Sequence, residues 1–184
     1  MHRDLVELAV AGDREAFSEL IRLSVNRLYA AARLILRDQW RAEDATQDAL
    51  VAAWQGLSGL RDPDRFEAWL YRVLIRTCHR AARSNIERRQ TRLDEVHLDE
   101  LRFEPPIDLG DRDLLERAFR RLDTDERAIL VMHYFVGYSI AEVADVLGVP
   151  VGTAKSRLSR ASQAMRSALD ADARGFDITK ERLA

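Results

Sequence analysis

Side chains able to grip a polyanion are gathered at two places in this chain. Residues 151–169 hold Lys155, Arg157, Arg160 and Arg166 with no acid among them. Wound as a helix, Ala154, Leu158, Ala161 and Met165 recur at +4, +3 and +4 and turn inward. Lys155, Ser156, Ser159, Arg160 and Gln163 then fall on the opposite side. Those types suit base-pair edges: Arg and Lys donate to guanine O6 and N7, Gln pairs with adenine, and Ser is short and adaptable. Arg157 and Arg166 lie nearer the flanks and suit phosphates, which fix position without reporting sequence. Backbone N–H groups at the helix start, near Gly152 and Thr153, add a phosphate contact. At the second place, Arg72, Arg76, Arg80 and Arg83 step by four, four and three, a stripe opposite Val73, Leu74 and Ala81 that also suits phosphates.

Catalytic chemistry finds no comparable support. His2, His79, His97 and His133 are scattered, and no motif pairs them with a nucleophile or a carboxylate. Cys78 is the one cysteine, so it cannot close an internal disulfide, and no Cys/His set has metal-ligand spacing. The expectation is a protein with no catalytic residues, no metal and no cofactor, at home in a reducing cytoplasm. The first residues are charged throughout, unlike a signal peptide, and no apolar run nears the roughly 18 residues that span a bilayer, so no membrane insertion is expected.

The elements that must position these residues are helices. Only 8 Gly and 4 Pro occur in 184 residues, and long stretches rich in Ala, Leu, Arg and Glu show the helical period. Near the C-terminus the punctuation is sharp. Ser139 with Glu142 three residues on forms a capping box that starts a helix. Ile140, Val143, Ala144 and Leu147 give that helix one apolar face; Gly148 ends it and Pro150 primes the next. Helix, three-residue turn and helix match a DNA-reading helix-turn-helix. In the first half, Asp13 precedes a long amphipathic helix carrying Phe17, Leu20, Ile21, Leu28, Ala31, Ala32 and Ile35. A break near residues 38–41 precedes a helix over 42–55, on which Asp44, Gln47 and Asp48 share a polar face that reads as solvated. After the loop at 56–64, a third helix begins near Arg65 with Phe66, Trp69, Leu70, Val73 and Leu74 as its buried stripe.

Charge separates the halves more clearly than the net value of −2 suggests. Residues 72–92 hold seven Arg against Glu87 alone, a net +6. Residues 93–113 hold eight acids against Arg102 and Arg112, a net −6. Two basic blocks flanking an acidic one predict two polyanion-binding surfaces and a solvated connector. The fold class expected is all-α: two small helical domains, residues 1–89 and 112–170, joined by a flexible acidic linker over 90–111, with a tail at 171–184 of no assigned role.

Taken together these segments resemble a known family. YFVGYSIAEVADVLGVPVGTAKSRLSRA, residues 134–161, is similar to region 4 of the extracytoplasmic-function group of sigma-70-family sigma factors. AEDATQDALVAAW at 42–54 and FEAWLYRVLIR at 66–76 resemble region 2 of the same group. The resemblance implies a sigma factor that directs core RNA polymerase to promoters and initiates transcription. It assigns Thr153, Lys155, Ser156, Arg157, Ser159 and Arg160 to the −35 element, and Arg72, Arg76, Thr77, Arg80 and Arg83 to the −10 element. It turns Asp44, Gln47 and Asp48 toward the clamp helices of the polymerase β′ subunit, with further contacts to the β subunit. The loop at 56–64 resembles the part that captures a base flipped from the −10 element, beside Phe66, Trp69 and Tyr71, of which Phe66 and Trp69 read better as core. The resemblance places the acidic linker in the polymerase cleft and implies an anti-sigma partner. Where the family has Asn followed by an acid in the third helix, this chain has Thr77, Cys78, His79 and Arg80.

Two other readings stand beside it. A stand-alone regulator would bind a palindromic operator as a dimer without polymerase. A nuclease would need a convergent acid–base site that no motif supplies.

Overall fold

A computed structural model describes residues 3–88 and 109–182. Among these the chain is all-helical, with no strand: α1 (Arg3–Val10), α2 (Arg14–Leu36), α3 (Gln39–Gly56), α4 (Phe66–Arg88), α5 (Leu109–Arg121), α6 (Thr124–Leu130), α7 (Ile140–Leu147) and α8 (Val151–Arg182). The acidic linker expected over 90–111 lies outside the described residues, except for 109–111, which already belong to α5.

Local chemistry sets most boundaries. Asp13 caps α2, its Oδ1 accepting from the backbone N–H of Glu15 at 2.8 Å and of Ala16 at 3.1 Å. Arg37 ends α2 in the left-handed region at φ 58°, and its N–H donates to the Arg33 carbonyl at 2.8 Å. Asp38 then caps α3 by accepting from the Arg41 N–H at 3.0 Å. A non-glycine residue held there costs about 1 kcal/mol, so the tight α2–α3 joint is sustained by its surroundings. One of them is a bond from the Arg37 guanidinium to the Glu116 carbonyl of α5.

The first four helices pack through small residues. Ala42, Ala45, Ala49 and Ala53 are fully buried along α3, at spacings of three, four and four, and let α2 and α4 approach closely. Leu28, Ile35, Leu70 and Leu74 fill the space between. Between α3 and α4, Leu57 is buried in a 3₁₀ turn, and Asp62 caps a second turn opened by Pro63.

The last four helices form the other module. Asp123 and Glu126 make a reciprocal capping box at α6, which runs into one π-helical turn, Val131–Phe135. Ser139 and Glu142 repeat the box at α7. Gly148 ends α7 at φ 67°, its N–H bonded to the last α7 carbonyls, as the left-handed cap requires. α8 continues for 32 residues, a rod of about 48 Å at 1.5 Å per residue. The tail at 171–184 is therefore helical through Arg182, continuing α8.

The two modules are packed together. α4 lies against α6 and α7, and α2 against α6 and the π turn, so that one apolar core runs from Val6 to Ala161.

Candidate nucleic-acid interface

The helix-turn-helix takes the form its punctuation dictates. Ala154 and Ala161 are completely buried and Leu158 and Met165 partly so, which fixes the rotation of α8 upon α6 and α7. That rotation leaves Lys155, Ser156, Arg157, Ser159 and Arg160 exposed, with Thr153 half-buried at the helix start. Ser156 Oγ donates to the Thr153 carbonyl at 3.0 Å, which orients the hydroxyl and leaves its lone pairs free to accept. Below this face, Ser139 accepts the Glu142 N–H at 3.3 Å while Glu142 Oε2 accepts the Ser139 N–H at 2.8 Å. The hydrogen bonds from Ser139 hold the Glu142 carboxyl below the usual carboxylate range. The support helix is thus pinned at both ends, by the box and by Gly148.

On α4, Arg76, Arg80 and Arg83 are exposed and line an open groove of about 520 Å³ with His79 and Ser84. Arg72 belongs to the same stripe but is half-buried and engaged. Its Nη2 lies 3.0 Å from Asp145 Oδ1 and also donates to the Asp145 backbone carbonyl. Thr77 departs from the sequence expectation. It is 2% exposed, and its hydroxyl is shared between the Ala45 carbonyl of α3 at 2.9 Å and the Leu74 carbonyl at 2.8 Å. Three residues after Leu74, it sits on the inward face of α4 and fastens α4 to α3.

The aromatics near the 56–64 loop are occupied by packing. Phe66 is buried, and Tyr71 is buried edge-on to Tyr138 with centroids 5.7 Å apart. Burial pushes the Tyr71 phenol up to about 12. Trp69 is half-buried and packs on Gly56, where an added Cβ would meet its Cζ2 at 3.5 Å. None of the three offers an open stacking face comparable to the exposed arginines.

Asp44, Gln47 and Asp48 stand exposed on the outer face of α3. Sequence reasoning missed what surrounds them: Trp40 and Val51 are 59% and 57% exposed on the same face. An acidic strip framed by uncovered apolar side chains has the make-up of a protein-binding surface rather than of a merely solvated one. Their spacing from Asp44, four before and seven after, was the available signal.

Sequence reasoning also missed the contacts across the module boundary. Arg65 Nη1 lies 3.6 Å from Asp145 Oδ2. Arg127 Nε donates to the Ile35 carbonyl at 2.5 Å, while its Nη1 bonds the Leu122 carbonyl at 2.6 Å. Burial lowers the guanidinium pKa of both Arg127 and Arg37. His79 Nε2 is 3.1 Å from Asp125 Oδ1 and makes no hydrogen bond. A crevice of about 110 Å³ between α4 and α7 is lined by Arg72, Arg76, His79 and Arg157. Among the described residues no cluster of His, Cys, Asp and Glu could hold a metal, and no helix is long and apolar enough to cross a membrane.

Comparison with known proteins agrees with this geometry. The Sigma-70 region 2 family model matches residues 20–88, and the Sigma-70, region 4 model matches residues 112–165. The ECF RNA polymerase sigma factor SigM of Mycobacterium tuberculosis is 34% identical over 165 residues, covering 86% of this chain and 79% of that one. The RNA polymerase sigma-H factor of Pseudomonas aeruginosa is 32% identical, covering 91% and 93%. Among solved structures, CnrH in complex with the cytosolic domain of CnrY matches with a TM-score of 0.65 at 30% identity, covering 92% and 97%. Sigma factor RpoE in complex with the anti-sigma factor NepR from Bartonella quintana matches with a TM-score of 0.68 at 26% identity, covering 85% and 98%.

Proposed function

The chain belongs to the extracytoplasmic-function sigma factors of the sigma-70 family, which initiate transcription at specific promoters, and on that premise we propose how its surfaces divide the work. α8 reads the −35 element in the major groove. Lys155, Ser156, Ser159 and Arg160 face base edges, and Thr153 and Arg157 hold phosphates. α4 grips the −10 element through Arg76, Arg80 and Arg83, joined by Arg72 when Asp145 releases it. α3 binds core polymerase, with Asp44, Gln47 and Asp48 facing the arginine-bearing β′ clamp helices and region 4 contacting the β subunit. The protein works in the cytoplasm and performs no catalysis of its own.

The observation that carries this reading is the acid-free exposed face of α8 over residues 151–169, held in fixed rotation by buried Ala154 and Ala161. A helix so presented can enter a groove about 12 Å wide and donate to base edges without first rearranging. Anti-sigma control is part of the proposal, because the solved relatives CnrH and RpoE carry CnrY and NepR.

Run-off transcription with bacterial core polymerase on a genomic promoter library tests it. Discrete transcripts that require this protein and share an upstream −35 and −10 pair are expected. Tight binding of the free protein to a palindrome, with no transcripts, would make it a stand-alone regulator.

A further inference from the structure

A glycine inside a helix destabilises it relative to alanine, so its presence there calls for a reason. For most of the described glycines the fold supplies one. Gly12, Gly137 and Gly148 hold a positive φ, and Gly56 lies under Trp69. Gly152 has neither reason. It is the second residue of α8, its φ is ordinary, and an added Cβ would meet no atom within 4 Å. Gly59 is equally bare, but it stands in a 3₁₀ turn, where no long helix is weakened.

The place of Gly152 on α8 is particular. It is exposed, and it begins the row that continues through Lys155, Ser156, Ser159, Arg160 and Gln163 at spacings of three and four. That row points away from buried Ala154, Ala161 and Ala168, so Gly152 is the foremost residue of the face assigned to the −35 element. Recognition helices meet base edges through their N-terminal residues, so a duplex comes nearest at this end.

Clearance there is small. A helix with its side chains is about 10–12 Å across, and the major groove is about 12 Å wide. Ser156 and Ser159 are short, and the Ser156 hydroxyl is held back by its bond to the Thr153 carbonyl. Such side chains reach a base edge only if the helix backbone itself comes close. Hydrogen bonds hold at about 2.7–3.2 Å. A methyl at position 152 would project about 1.5 Å from Cα, enough to lift both serines out of range. Lys155 and Arg160 are long enough to follow the groove.

We propose that Gly152 sets the depth at which α8 seats in the major groove: the −35 duplex closes on its bare Cα, and that approach brings Ser156 and Ser159 to base edges. Gly152 is thus a specificity-determining residue by virtue of having no side chain. Helix stability is given up at the start of α8, and discrimination between promoters is gained. The proposal rests on the sigma-factor reading.

The test compares the full-length wild type with Gly152→Ala and Gly152→Leu, free and as holoenzymes with bacterial core polymerase. Gly152→Ala keeps the backbone N–H, so a loss of binding reports the added methyl and not a missing donor. Thermal melts of the free chain should show Tm raised by about 1–4 °C for Gly152→Ala. Holoenzyme titrations then compare a duplex carrying the −35 element with one in which that element is scrambled. The preference for the intact element should shrink about fivefold or more for Gly152→Ala, the worth of one misread base pair, and further for Gly152→Leu. Affinity for the scrambled duplex, which phosphate contacts supply, should change less. A lowered Tm in Gly152→Ala overturns the proposal, because the glycine would then serve the fold. An undiminished −35 preference in both variants also overturns it, because nothing then closes on the bare Cα. If wild-type holoenzyme yields no promoter-dependent transcripts, the sigma-factor reading falls and the proposed seating depth falls with it.

Discussion

Replacing Thr77 with valine separates a packing role from a reading role at the one −10 position the structure withdraws. Thr77 is 2% exposed, and its hydroxyl lies 2.9 Å from the Ala45 carbonyl and 2.8 Å from the Leu74 carbonyl. Valine keeps the branched shape and removes the donor. Both carbonyls keep their places in helical ladders, so the loss is the net worth of one hydrogen bond, about 1 kcal/mol. In a chain of this size that lowers Tm by about 2–4 °C. Thr77→Ser keeps the donor and deletes one buried methyl, also about 1 kcal/mol. Thermal melts give the stabilities, and run-off transcription from promoters substituted base by base in the −10 element gives selectivity. Both variants should lose stability while their −10 preference stays that of the wild type. Thr77→Val with unchanged Tm, or a shifted preference at any −10 base, would refute the assignment of Thr77 to the α3–α4 contact.

Arg160→Ala should cost about 1–3 kcal/mol and relax selection at a single −35 position, whereas Arg157→Ala should weaken all promoters alike and reduce the salt slope by about 1; holoenzyme titrations on a −35 library distinguish them. Asp44→Ala with Asp48→Ala removes exposed side chains, so the fold should change by no more than about 0.5 kcal/mol. Affinity for core polymerase should fall about tenfold or more in a competition assay, and unchanged affinity would return that face to solvent. Burial pushes the Cys78 thiol up to about 12. The unfolded chain surrenders this proton above about 8.5 while the folded chain keeps it, so stability should decline as pH rises from there. Melts across that range should show a shallower decline for Cys78→Ala; an equal slope would mean the thiol is not shielded.

The sequence made the helix-turn-helix legible because its determinants are local. Ser139, Glu142, Gly148 and Pro150 lie within 12 residues, and each acts on its own turn of backbone. The α2 start was legible for the same reason, through Asp13. For Thr77 resemblance and periodicity pointed apart: three residues after Leu74 it belonged to the inward face, where it is buried. The short α1 and the π turn carry no punctuation of comparable strength. Contacts across the module boundary were invisible, since Arg72 and Asp145 are 73 residues apart and Arg127 and Ile35 are 92 apart. No local pattern encodes which surface carbonyl an arginine will meet, and that part of the candidate site required the packed molecule.

The unbroken run of α8 from Val151 to Arg182 makes the chain's C-terminal end a crankshaft driven by the helix-turn-helix. Each residue inserted or deleted beyond the last packed turn would swing whatever follows by about 100° and shift it by 1.5 Å. A reporter attached behind Arg182 would therefore circle the promoter with a period of about 3.6 residues as the rod is lengthened. Fusions differing by three or four residues would point nearly alike, and those differing by two would point nearly opposite, so the phase of an appended domain can be dialled without touching a base contact.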